Sequence, residues 1–109
     1  MEITIIGAGY VGLVTGGGLA SLGHRVRLGE SNTERVELLR SGGVPIYEQG
    51  LPELLASATE SGLLSFHSSN KEAVTGAAFV FLALPTPEGA DGRADLQYVH
   101  AVVDELANE

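Results

Sequence analysis

The chain contains no cysteine, and that absence removes disulfides, thiolate metal sites and cysteine nucleophiles in one step. It is also short of positive charge: six lysines and arginines face fourteen aspartates and glutamates, for a formal net charge of −8. A field of that sign repels nucleic acid and anionic membrane surfaces, so neither is expected as a partner. Any phosphate bound here must be held by local dipoles. No G-x-S-x-G stretch occurs, and no lysine follows the glycine-rich stretch near the N-terminus, which sets aside hydrolase and P-loop readings. His24, His67 and His100 have no helical metal-ligand spacing, and Asp91, Asp95 and Asp104 lack the spacing of a calcium loop. These residues read as structural or solvated.

Charge is missing altogether from Ile3 to Gly23, a length that could span a membrane or form the core of a signal peptide. The run carries seven glycines and follows Glu2, with no basic cluster before it. It breaks into a β-branched strand, a turn and a helix-like segment, so a soluble element pair is the better reading. A cytoplasmic location is expected, with which the lack of cysteine is compatible.

What is present alternates. Ile3–Ile6 reads as a buried parallel strand ending at Gly7, and a helix from about Tyr10 to Leu22 is stopped by Gly23. Arg25–Leu28 is a second strand. Asn32 or Thr33 can cap a helix that Gly42 and Gly43 terminate. A turn-rich connector from Val44 to Gly50 precedes a helix beginning at Leu51 and running as far as Gly62; Leu63–Phe66 is a strand, and Lys71–Val74 a brief helix. The most hydrophobic run, Ala77–Leu84, predicts a central strand buried on both faces, closed by Pro85 and Pro87. Pro87–Asp95 reads as loop and Leu96–Leu106 as a helix with an apolar stripe. This order predicts an α/β fold, a Rossmann-type doubly wound parallel sheet truncated after about four strands. The 109 residues are expected to form one domain.

Gly7, Gly9 and Gly12 form G-x-G-x-x-G between the first strand and the first helix. Glycine is common here, at 15 of 109 residues, so the pattern alone is weak, but its position is specific. Gly7 would make the tight turn, Gly9 would let a pyrophosphate approach the backbone, and Gly12 would let helix and strand pack closely. The helix N-terminus offers unpaired N–H groups and the positive end of its dipole, which suits an acidic chain. Glu30 lies at the end of the second strand, where a carboxylate can accept hydrogen bonds from the adenosine ribose and repel a 2′-phosphate. NAD is therefore expected over NADP, although the nearby Arg35 could pair with such a phosphate.

The run Gly7-Ala8-Gly9-Tyr10-Val11-Gly12-Leu13-Val14-Thr15-Gly16, followed by Leu22-Gly23-His24, resembles the opening of the UDP-glucose/GDP-mannose dehydrogenase family. Pro45-Ile46-Tyr47-Glu48-Gln49-Gly50-Leu51 resembles that family's P-I-Y-E-P-G-L segment. Leu84-Pro85-Thr86-Pro87, with Asp91-Gly92 and Ala94-Asp95-Leu96, resembles its T-P motif and the loop beyond. The resemblance implies an NAD-binding domain of an enzyme that oxidises the primary alcohol of a nucleotide sugar to a carboxylate with two NAD. By position it also implies that Tyr10 and Val11 line the pyrophosphate loop, Glu30 holds the ribose, Arg35 lies near the adenosine and Thr86 contacts the cofactor. Three departures stand out: Glu30 replaces an aspartate, Gln49 replaces a proline, and Gly17 and Gly18 stand where alanine or cysteine is usual.

The family's cysteine nucleophile and sugar-binding domain would lie beyond residue 109, so the resemblance supports a cofactor module and not turnover by these residues. A nucleotide sugar is then a partner only of a full-length parent, and a homodimer through a raw sheet edge is a further expectation. Two other readings stand beside this one. The chain could be a non-catalytic interaction protein that keeps the fold, or the nucleotide half of a 6-phosphogluconate or 3-hydroxyacyl-CoA type dehydrogenase, which lacks the Tyr47 block.

Overall fold

The computed structural model describes residues 1–46 and 48–84. Its first strand, β1, is Glu2–Ile6, where consecutive β-branched side chains favour extended backbone. The helix α1, Tyr10–Ser21, follows and ends where Gly23 takes φ +97°, a left-handed conformation that glycine adopts without steric cost. Next come β2, Arg25–Gly29, and α2, Thr33–Arg40. Of the two residues offered as cap for α2, Asn32 serves: its side chain accepts a hydrogen bond from the Arg35 N–H at 3.1 Å. After α3, Leu51–Glu60, come β3, Leu64–His67, α4, Asn70–Val74, and β4, Phe79–Leu82.

Among the described residues the four strands are all parallel, in the order β3-β2-β1-β4. The chain steps outward from β1 through β2 to β3, then crosses back to the other side of β1. The order reverses at the β1–β4 boundary, the place where open α/β sheets form a crevice at the carboxyl ends of their strands.

Side chains alternate between the two faces of the sheet. Ile3, Ile5, Val26, Leu28, Leu64 and Phe66 join the buried cluster that includes Leu13 and Ala20 of α1, Val36 and Leu39 of α2, and Leu55 and Ala58 of α3. Thr4 and Gly29 turn the other way, toward α4. The buried Thr4 hydroxyl donates to the Ala73 carbonyl, and at Gly29 an added Cβ would stand 2.7 Å from Asn70 Oδ1, so a bare backbone there admits α4.

Packing of α1 on α3 explains one of the sequence departures. A Cβ on Gly17 would lie 2.8 Å from both Cγ and Cδ2 of Leu54, whereas one on Gly18 would meet nothing within 4 Å among the described residues. Gly17 is a contact surface for α3; Gly18 is not.

One expectation is corrected. The Ala77–Leu84 run does not give a strand buried on both faces: β4 is confined to Phe79–Leu82, and its side chains are 40–52% exposed. Among the described residues β4 pairs with β1 alone and lies at one end of the sheet. An apolar run reports a need for cover, but cover is supplied by neighbouring elements and not by the strand. The expected loop from Pro87 to Asp95 and the helix Leu96–Leu106 lie outside the described residues. Among those that are described, no helix is long and apolar enough to cross a membrane; the uncharged stretch from Ile3 to Gly23 is divided between β1 and α1.

Candidate functional site

The carboxyl ends of β1, β2 and β4 open into a cleft of about 960 Å³, within the range of small-molecule and cofactor sites. Gly7, Gly9, Tyr10, Val11, Glu30 and Arg35 all line it. Gly12 is buried behind it, and Thr86 lies outside the described residues.

The three motif glycines are not equivalent. Gly7 has φ +110°, and a Cβ on it would collide with the Ala83 carbonyl. Gly12 has ordinary helical backbone, but its Cβ would collide with the Gly7 carbonyl, so α1 could not seat on the loop. Gly9, at φ −84° and ψ −167°, is in extended backbone open to any residue, and among the described residues a Cβ there would meet nothing within 4 Å. The fold itself has no need of glycine at position 9.

Gly9 is also the N-cap of α1, and neither a side-chain cap nor an acidic residue serves the first turn of that helix. Its leading N–H groups, which have no intrahelical acceptor, therefore keep their positive character at the cleft.

Glu30 projects from the end of β2 and curls back on the loop. Its Oε1 accepts from the Ala8 N–H at 2.9 Å and its Oε2 from the Asn32 N–H at 3.0 Å. A carboxylate has about four acceptor positions; two are engaged, which leaves about two for incoming hydroxyls. Arg35 reaches the same loop from α2, its Nη1 donating to the Ala8 carbonyl at 3.0 Å. The loop and the end of β2 are further joined by the Gly7 N–H, which donates to the Gly29 carbonyl at 2.7 Å.

Sequence reading did not single out Ala8, Asn32 as part of the cleft, or Asn70. Ala8 participates through its backbone, for which its side chain gives no signal. Asn32 was legible only as a cap. Asn70 begins the short helix α4, is 6% exposed, and its Oδ1 has no hydrogen-bond partner among the described residues. A run of polar residues after a strand was the only hint.

His67 stands outside the cleft at the end of β3. Burial lowers its pKa, and the Arg40 guanidinium adds to the effect. Its Nε2 lies 2.8 Å from Ser65 Oγ, while Arg40 donates through Nε and Nη2 to the Phe66 carbonyl at 3.0 and 2.7 Å. This cluster fastens α2 to β3 and takes no part in the cleft.

The chain matches, over residues 1–109, the model of the UDP-glucose/GDP-mannose dehydrogenase family, NAD binding domain. It is 46% identical over 106 residues to a UDP-glucose 6-dehydrogenase of Pseudomonas aeruginosa, covering 97% of this chain and 23% of that protein. A UDP-glucose 6-dehydrogenase of Rhizobium meliloti is 45% identical over 108 residues, with 98% and 25% covered. Among solved structures, a GDP-mannose dehydrogenase from Pseudomonas aeruginosa superposes with a TM-score of 0.92 at 36% identity, over 97% of this chain and 24% of that one. A UDP-glucose dehydrogenase from the archaeon Pyrobaculum islandicum gives 0.91 at 46% identity, over 95% and 24%. The chain thus spans about a quarter of the length of these relatives.

Proposed function

The chain belongs to the UDP-glucose/GDP-mannose dehydrogenase family as its NAD-binding domain, and from that premise we propose that the cleft at the end of β1 holds NAD for the oxidation of a nucleotide sugar's primary alcohol to a carboxylate. When bound, NAD supplies the hydride acceptor for that chemistry. The residues of this chain bind and orient. The backbone around Gly9, Tyr10 and Val11 faces the pyrophosphate, the free acceptor positions of Glu30 face the adenosine ribose, and Thr86 contacts the cofactor. These 109 residues hold no cysteine, so a covalent thiohemiacetal step is not theirs; they bind the dinucleotide without oxidising sugar. The setting is cytoplasmic. The reading includes pairing of two chains along β4, which among the described residues pairs with β1 alone; a strictly monomeric elution at high concentration removes that part.

The observation that carries the proposal is the difference among the three glycines. Packing requires Gly7 and Gly12, whereas the space beside Gly9 is open on the cleft side and answers a ligand's need for close approach. Gly9→Ser tests this, because serine is a favoured N-cap and leaves the helix at least as stable while placing a side chain where the pyrophosphate would lie. NAD at one hundred times its dissociation constant should stabilise the unaltered chain by about 2.7 kcal/mol. The Gly9→Ser chain should melt normally and lose that response. No response to NAD in the unaltered, folded chain refutes the proposal and leaves a protein that keeps the fold alone. Calorimetry should further show NAD preferred to NADP, with Glu30→Ala weakening binding or relaxing the preference; equal affinities in the unaltered chain remove the ribose argument.

A further inference from the structure

The two backbone polar groups of Ala8 are each held by a different side chain. Its N–H, part of the 7–8 peptide, is fixed by the Glu30 carboxylate at 2.9 Å; its carbonyl, part of the 8–9 peptide, is fixed by Arg35 Nη1 at 3.0 Å. Both side chains spring from the junction of β2 and α2, and that junction is itself braced. Glu30 Oε2 accepts from the Asn32 N–H, and Asn32 Oδ1 from the Arg35 N–H. The two peptide planes of the loop are therefore referenced to one rigid corner.

A trans peptide is planar, with its C=O and N–H pointing in opposite directions. Drawing the Ala8 carbonyl toward Arg35 therefore turns the Gly9 N–H away from α2. Among the described residues that N–H has no hydrogen-bond partner, and Gly9 lines the cleft. A hydrogen bond from a cation to the carbonyl also polarises the shared peptide and makes its N–H the stronger donor. Among the described residues the Arg35 bond is the one side-chain hydrogen bond made to the 8–9 peptide, beside the burial of Ala8 in the core.

We propose that Arg35 is a positioning residue for the glycine loop, setting the 8–9 peptide so that the Gly9 N–H is presented to a diphosphate. In this role it acts through the loop. The proposal rests on the NAD reading for its ligand, but the peptide it fixes is a property of the free chain.

The test uses Arg35→Met, which keeps the stem and removes the donors, and Arg35→Lys, which restores one. The probes are ADP-ribose and adenosine by calorimetry, together with the backbone amide resonance of Gly9 in the ligand-free chain. Arg35→Met should shift the Gly9 resonance and weaken ADP-ribose about tenfold, the effect of one charge-assisted hydrogen bond. Adenosine, which has no phosphate, should be weakened less than ADP-ribose, and Arg35→Lys should recover most of the loss. Equal weakening of adenosine and ADP-ribose overturns the proposal, as does a lysine variant no better than methionine or an unmoved Gly9 resonance. If the unaltered chain binds no ADP-ribose, the NAD reading fails, and the Gly9 resonance in the free chain still decides whether Arg35 sets the peptide.

Discussion

Gly17 and Gly18 are adjacent in α1 and chemically identical, yet alanine at the two positions should have opposite effects. In a helix interior, replacing glycine by alanine gains about 1 kcal/mol from backbone entropy. At Gly18, where a Cβ would meet nothing within 4 Å, that gain should be realised in full, raising the melting temperature by about 4 °C or more. At Gly17 the same Cβ would stand 2.8 Å from Leu54 Cγ and Cδ2 and 3.5 Å from Leu55 Cδ2. Relief there requires α3 to retreat or Leu54 to leave its rotamer, at a cost of about 1–3 kcal/mol. Gly17→Ala should therefore be neutral to about 2 kcal/mol destabilising. The propensity contribution cancels between the two variants, so their difference isolates the α1–α3 contact. Urea denaturation followed by circular dichroism measures it. Leu54→Ala in the Gly17→Ala background should remove most of the penalty as a double-mutant coupling. Equal stabilities for the two single variants, or no coupling with Leu54, would refute the packing argument.

Asn32→Ala removes the cap of α2 and should cost about 1 kcal/mol in chemical denaturation; an unchanged midpoint would mean the cap bond contributes nothing. Gly12→Ala drives a Cβ into the Gly7 carbonyl, backbone against backbone, and should cost about 3 kcal/mol or more; a variant that melts with the parent contradicts the seating of α1. For His67, whose folded pKa lies below its ordinary value of 6.5, the unfolded chain binds more protons between the two values. Its contribution to stability is complete above 6.5, falls as pH drops through that window, and is lost below the folded value. Melting curves across mildly acidic pH should be less steep in pH for His67→Gln than for the parent, and identical slopes would count against the burial of the imidazole.

Much of the fold was legible because its punctuation is local. Gly23, Gly42 and Gly62 each take positive φ at a helix end, and this requirement is written in the residue itself. The β1–loop–α1 unit is legible for the same reason, since turn, close approach and seating each ask for glycine at fixed spacing. What was hidden depends on partners distant in sequence. Gly17 and Gly18 look alike until Leu54 of α3 comes to rest on one of them. The apolar run at β4 announced burial, but burial is decided by what packs on a strand. At the site, the position of Glu30 could be read, whereas its bonds to Ala8 and Asn32 could not, because main-chain N–H groups carry no side-chain signature. The link from Arg35 to the Ala8 carbonyl was hidden for that reason as well.

The short bond between the Gly7 N–H and the Gly29 carbonyl carries the ladder of β1 and β2 past the end of β1, to the last residue of β2, just before Glu30. It makes the crevice a ruler: the spacing between the loop amides and the acidic side chain is set by sheet geometry and not by side-chain choice. Retuning such a chain for a bulkier or differently charged dinucleotide is therefore a matter of exchanging the residue at position 30, while an insertion on either side of that rung would change the scale itself.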